Sequence, residues 1–433
     1  MMRHLGRTWR RRQKRSCTEA KPHDDQCSEL RKWMVHRSSK SLLAETFSLV
    51  PFDFAETGRG LKTKRKIEPG TMIVSIPQCL LVSPLDVLTS EMGCLIKRWR
   101  PTFTGHQILS LFLLIELKKG RNSAWHPFIQ SLPACYTLPH YFSHGELDFL
   151  TSHIRERADK EIARAHQAFK DVHKFCQHHW PSGVDWASWE KFLWAWCTIS
   201  SRAVYLKTEA SAEGWLDLSH TDENNQALCP YLDLINHTST AQMRAGLNTK
   251  TACYEIVTED SFQAHDQVFI SYGPHDNTTL FLFYGFTLPT NVYNSVFFSI
   301  EDLTELLEVF HVDSWARRKE VLCQYNLLRR LACSTEGISW NLQAALSVLA
   351  MDLTQLQECW RILNKEEIHP ALEANVLIMA RHLIGTALRM TKQFLADRER
   401  RAQMDGPTTH TQLALSLVRD DIGILTSALH AVS

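Results

Sequence analysis

The chain changes its hydrophobic period three times, and that switching restricts its fold more than any other feature. Strand-like runs begin at about Phe47. Met72-Ile73-Val74-Ser75-Ile76 ends at Pro77, and Leu80-Leu81-Val82 ends at Ser83-Pro84. Glu68-Pro69-Gly70 is a turn that feeds the first of these runs. From about His106 to Lys207 the period becomes helical, with Ile108, Leu111, Phe112 and Ile115 at helix spacing. Residues 149–175 read as a long, charged, solvent-facing helix, and residues 186–199 as an aromatic, buried one. Strand character returns at residues 253–257, 267–271 and 295–300. After residue 301 only helical stripes remain. They are Leu303, Leu306, Leu307 and Phe310; Leu342, Leu346, Leu349, Leu353 and Leu356; Val376, Ala380, Leu383, Ile384 and Leu388; and a weaker one over 413–425. No sequence repeat of fixed period is present, which argues for a bundle over a solenoid.

The expectation is therefore an α+β chain in three parts. Residues 1–46 form a basic, mostly disordered tail with a short helix near 30–35. Residues 47–300 form a β-rich domain split by a helical insertion at about 106–225. Residues 301–433 form an all-α domain. A chain of 433 residues is long enough for two or three cores. Thirteen Trp and twenty Phe promise aromatic interiors. The net charge of +1 supplies no global field toward nucleic acid or an anionic membrane. Only Arg10-Arg11-Arg12-Gln13-Lys14-Arg15 is strongly basic, as a solvated tail, a nuclear-import signal or a nucleic-acid arm. The longest apolar run, Ile108 to Ile115, is far short of the roughly 20 residues a membrane helix needs, so no membrane partner is expected. No secretory signal follows the basic start. The twelve cysteines include no C-x-x-C pair, which argues against a zinc cluster and for reduced thiols in cytoplasm or nucleus.

Three short motifs carry possible chemistry. Thr57-Gly58-Arg59-Gly60-Leu61 lets backbone approach a ligand closely. It lacks the third glycine and the following helix of a dinucleotide site. Asp233-Leu234-Ile235-Asn236-His237 reads equally as a capped strand end or as a ligand-recognising loop. Ile270-Ser271-Tyr272-Gly273 and Phe283-Tyr284-Gly285-Phe286 repeat a Tyr-Gly step; each tyrosine alone reads as a core residue.

The order of these motifs together resembles the SET domain of protein methyltransferases, in the class of the Rubisco large-subunit lysine methyltransferase. The resemblance covers residue 47 to the C-terminus, with strong motifs only in the SET part. It implies a SET domain split by a helical insertion, an appended all-helical substrate-binding domain, and no flanking cysteine–zinc clusters. It implies S-adenosylmethionine as cofactor, and as partner a protein carrying the target lysine, histones among the candidates. Thr57, Gly58 and Arg59 would line the methionine end of the cofactor through backbone. Asn236 and His237 would bind its amino-acid and adenine parts, with Phe286 beside them. Arg202, in Ser200-Ser201-Arg202-Ala203, would lie near cofactor and substrate, and Asp233 by the lysine. Tyr272 and Tyr284 would form the lysine channel, with Tyr284 the better match to the catalytic tyrosine. Phe297 stands where relatives have a tyrosine at the end of the substrate site. The chain departs from the pattern at Thr57, usually acidic, at Leu206, usually basic, and at Asn294, usually aspartate. These departures bear on the substrate more than on the cofactor. Two other readings remain open: an inactive SET scaffold that binds proteins, and a methyltransferase acting on histidine. A cysteine hydrolase fits poorly, because Cys229 precedes Pro230 and nothing ties it to a particular histidine.

Overall fold

The structure is a computed structural model that describes residues 23–181, 183–206, 224–359 and 370–433. They fall into two compact units. The first runs to Leu147 and from Ser152 to Val292; the second comprises Asp148–Thr151 and Tyr293–Ser433.

Among the described residues the first unit opens with helix α1 (His23–Arg37), longer than the short helix expected near 30–35. Cys27, Leu30 and Met34 lie on one stripe and are buried in the main core. Three apolar anchors among charged neighbours make a thin signal, which is why only a short piece of this helix is legible in the sequence. Strands β1 (Leu49–Phe54) and β2 (Gly58–Thr63) form an antiparallel hairpin, followed by β3 (Thr71–Pro77). The strand expected at 80–82 is instead a 3-10 turn and a single bridge from Val82 to Leu228. The helical insertion follows. Its longer members are α2 (Gly105–Lys119), α3 (Ser152–His179) and α4 (Trp189–Arg202). A capping box between Thr104 and Gln107 starts α2, and Gly120 at φ 56° ends it. Helix α3 is charged except for one buried stripe that includes Ala165, Val172 and Phe175.

The chain then returns to strands: β4 (Val204–Tyr205), β5 (Gln226–Ala227), β6 (Asn236–His237), β7 (Met243–Asn248), β8 (Cys253–Thr258) and β9 (Gln267–Ile270). β7 escapes a sequence reading because it is an exposed edge strand without apolar alternation. One sheet has the order β3-β8-β7 and another β1-β2-β9-β6. In the second, β9 runs antiparallel to β2 and parallel to β6, with Asn236 opposite Phe269 and His237 opposite Ile270. That parallel pairing sets the motif at 233–237 beside the Ser-Tyr-Gly motif.

The second unit is built on α5 (Ile300–Val309), α6 (Trp315–Gln324), α7 (Trp340–Ala350), α8 (Pro370–Asp405) and α9 (Thr409–Ala431). A small antiparallel sheet joins the helices: β10 (Val296–Phe297), β11 (Ala332–Ser334) and β12 (Gly337–Ile338). These strands are too short to break the helical periodicity of the sequence. Buried Arg318 of α6 donates Nη1 to the Val348 and Met351 carbonyls at 2.6 and 2.8 Å, satisfying the C-terminal end of α7. By length and composition alone α8 could cross a membrane. Its apolar residues Val376, Ala380, Leu383 and Ile384 are instead buried in the core of this unit.

Candidate functional site

The site is assembled from five stretches of the first unit. Glycine sets the first stretch. Gly58 holds φ at 72°, a left-handed conformation, as the hairpin turn enters β2. At Gly60 a Cβ would lie 2.7 Å from both Asn236 Nδ2 and Gln267 Nε2, so no larger residue fits there without a shift. Thr57 Oγ1 donates to Gln267 Oε1 at 2.9 Å and pins the turn to β9. Arg59 is buried, and its Nη2 donates to the Ser131 carbonyl at 2.8 Å. The Arg59 side chain thus anchors the turn to the insertion and leaves the backbone as the face toward any ligand.

The second stretch is 231–237. Tyr231 takes φ 73° and donates its buried hydroxyl to the Leu49 carbonyl at 2.9 Å, fixing the 3-10 turn of residues 232–234. Asn236 Nδ2 then donates to the Arg59 carbonyl at 3.2 Å, joining this stretch to the glycine turn. His237 is buried, with Nδ1 3.1 Å from the Tyr272 amide and 3.2 Å from the Ile270 carbonyl.

The third and fourth stretches supply rings. Tyr272 lies two residues beyond the end of β9. Its hydroxyl donates to the Ile235 carbonyl at 2.6 Å, and its ring stacks on His237 at 4.9 Å and 20°. Tyr284 closes a π-helix, Leu280–Tyr284, entered from a turn capped by Asp276. Such single-turn bulges are frequent at functional sites. Gly285 ends it at φ 75°, with its carbonyl taking the Thr137 hydroxyl. Tyr284 stacks on Tyr272 at 5.1 Å and 27°, and Phe286 stands edge-on to Tyr272, Tyr284 and His237. The late tyrosines and the Asn-His pair thus form one aromatic cluster.

The fifth stretch is the end of α4. Arg202 Nη1 lies 2.7 Å from Asp233 Oδ2 and also donates to the Asp233 carbonyl at 3.1 Å. Both side chains are only 1% exposed. Burial alone would lower the arginine pKa; the Asp233 carboxylate, with Tyr136 and Tyr272, holds it above the ordinary value.

Arg202, Asp233, Tyr272 and Tyr284 line one cavity of about 750 Å3, within the usual range for ligand pockets. Thr57, Gly58, Arg59, Asn236, His237 and Phe286 stand outside that lining, with His237 and Phe286 in ring contact with Tyr272 and Asn236 bonded to the glycine turn. Phe297 lies in the second unit, in β10, opposite Ala332. The cavity also takes residues the sequence reading missed. His275 faces it, Nε2 3.1 Å from the Tyr272 carbonyl and ring 5.8 Å from Tyr284. Burial lowers its pKa, so the imidazole is neutral at physiological pH. Gly273 makes room for it, since a Cβ there would lie 2.8 Å from His275 Nε2. A Gly-x-His step was the available signal. His106 also lines it, its ring tilted at 35° against Trp196 with centroids 3.8 Å apart, and nothing in the helical stripe of α2 marks it as different from a core residue.

The comparisons agree with this geometry. The family model described as SET domain matches residues 58–273, from the glycine turn to the Ser-Tyr-Gly motif. SET domain-containing protein 4 of Mus musculus is 32% identical over 428 residues, covering 96% of this chain and 94% of the relative. The Homo sapiens protein of the same name is 32% identical over 395 residues, covering 88% and 87%. Actin-histidine N-methyltransferase of Gallus gallus is 28% identical over 282 residues, 63% of this chain and 44% of the relative. Among solved structures, the SET domain of LSMT bound to lysine and AdoHcy superposes with a TM-score of 0.61 at 17% identity, over 94% of this chain and 91% of that one. Rubisco LSMT bound to AdoMet gives 0.58 at 17%, over 95% and 92%. With its glycine turn, Asn-His strand and Tyr272 in the matched region and Tyr284 stacked on Tyr272 just beyond it, the chain belongs to the SET-domain methyltransferase family.

Proposed function

We propose that this chain transfers a methyl group from S-adenosylmethionine to a lysine side chain of another protein. The observation that carries the reading is the stacking of Tyr272 on both His237 and Tyr284, beside a cavity that the two tyrosines line together with Arg202 and Asp233. Gly60 is the test of fit for the cofactor. The turn keeps bare backbone there because a Cβ would strike two side-chain amides. Thr57, Gly58 and Arg59 through backbone, with Asn236, His237 and Phe286, would hold the donor. When bound, it supplies an electrophilic methyl carried on a positively charged sulfur.

The chain's own residues must deliver a neutral amine in line with that methyl. Free lysine, with a pKa near 10.4, is neutral in only roughly one molecule per thousand at pH 7.4. Rings of Tyr272, Phe283 and Tyr284 strip water from an amine entering the cavity, and desolvation lowers an ammonium pKa. Neutral His275 adds no repulsion. The Tyr284 hydroxyl orients the amine, and the same ring faces favour a methylated, cationic product. Asp233 is locked on Arg202 and positions the floor of the cavity without acting as a base.

A second reading has a specific basis. The relative named actin-histidine N-methyltransferase of Gallus gallus is 28% identical over 282 residues, and a histidine acceptor, with an ordinary pKa of about 6.5, is already mostly neutral at pH 7.4. The deciding experiment incubates the protein with labelled methyl donor and fractionated cell extract, comparing wild type with Tyr284→Phe. Fragmentation mass spectrometry then identifies the modified residue. A lysine mark lost in the variant is expected. A histidine mark overturns the acceptor, and absence of both transfer and donor binding leaves the inactive-scaffold reading. Histone and non-histone proteins of cytoplasm and nucleus are the proposed substrate pool. The basic run at 10–15, which would aid nuclear entry, lies outside the described residues.

A further inference from the structure

The helical insertion carries a second arrangement of rings and charge that shares no residue with the site above. Lys118, in the last turn of α2, holds Nζ 4.6 Å from the ring centre of Trp186 and 5.5 Å from that of Trp180. The two indoles meet at right angles, with centroids 5.4 Å apart and planes at 86°. They are two walls of a corner, and an ammonium sits in it. The next residue, Lys119, pairs with the Glu116 carboxylate in the ordinary way. Among the described residues no carboxylate pairs with Lys118.

The walls stand without the lysine. Trp186 donates Nε1 to the Gly183 carbonyl at 3.2 Å. Trp180 packs edge-on against fully buried Phe175 at 6.1 Å, and its amide closes on the Cys176 carbonyl at 2.8 Å. Both indoles are half-buried, whereas Lys118 is exposed. An aromatic corner attracts cations, and it favours those that shed water easily and touch the ring faces broadly. Each methyl added to an ammonium improves both properties. A bare lysine is therefore the weakest occupant of its class, and it stays because it is tethered.

We propose that the Trp180–Trp186 corner is a binding site for a methylated lysine side chain of another protein, with Lys118 as its resident stopper. The source of such a ligand rests on the proposed lysine methylation; the corner itself does not. The test is isothermal titration of the full chain with a short peptide carrying Nε-trimethyllysine, the same peptide unmodified, and phosphatidylcholine vesicles. Only the trimethylated peptide is expected to bind. Lys118→Ala, an exposed change that leaves methyl transfer at the wild-type level, should tighten that binding about two- to fivefold, as expected for release of one exposed cation–π contact. Trp186→Leu should remove it. If Lys118→Ala binds both peptides equally or neither, the proposal is overturned, and binding of vesicles without peptide overturns it as well. A chain that methylates no lysine but still prefers the trimethylated peptide keeps the corner and loses the functional reading. Lysine methylation without that preference does the reverse.

Discussion

Arg202 and Asp233 face each other at 2.7 Å with both side chains 1% exposed, so neither charge can fall back on solvent. Removing one partner leaves a buried, uncompensated charge, which costs ~3–5 kcal/mol. Arg202→Met should therefore lower unfolding free energy by about that amount in urea denaturation. Arg202→Met combined with Asp233→Leu should regain part of the loss, because two apolar chains of similar size need no pairing. Tyr284 makes a different prediction, since its ring is held by stacking and its hydroxyl has the chemical task. Tyr284→Phe keeps the stack on Tyr272 at 5.1 Å and should leave donor affinity unchanged in titration. The methyl-transfer rate should fall about a hundredfold, the scale of losing reactant orientation. Full activity in that variant would remove the hydroxyl from the reaction.

At the scale of the element, the π-helix Leu280–Tyr284 matters most, because its geometry aims Tyr284. Gly285 stops it at φ 75°, where a Cβ would also lie 2.6 Å from Thr137 Oγ1. Gly285→Ala combines left-handed strain with overpacking, each worth ~1–3 kcal/mol. A lower melting temperature is expected together with a loss of methyl transfer larger than that fall in stability explains. A variant equal to wild type in both would show that the π-helix end does not set the tyrosine. Helix α4 and strand β9 place their residues more simply, by ending where Arg202 and Tyr272 begin to be needed.

For the first unit as a whole, buried His106 links stability to pH. Burial, with Arg164 and His140 nearby, lowers its pKa from the usual 6.5 to about 3. The unfolded chain takes up the proton first, so no stability is lost above pH ~6.5 and it falls as pH drops toward 3. The expected slope from this group is about 1.4 kcal/mol per pH unit across that window. Urea titrations from pH 7 to 4 should show it, and His106→Gln should flatten it. Much of the molecule was legible in the sequence: the split β-rich domain, the helical insertion and the helices after 301 follow from periodicity, which neighbouring residues encode locally. Gly58, Asn236, His237, Tyr272 and Tyr284 were legible as motifs in order. What remained hidden was non-local. The parallel pairing of Asn236-His237 with β9, the Arg202–Asp233 contact and the arrival of His106 and His275 at one cavity join residues far apart in the chain. The edge strand β7 was missed, and only a short piece of α1 was expected, for the same reason: burial and pairing are supplied by partners elsewhere. Local pattern fixes which elements form; which side chains meet is decided only when those elements pack.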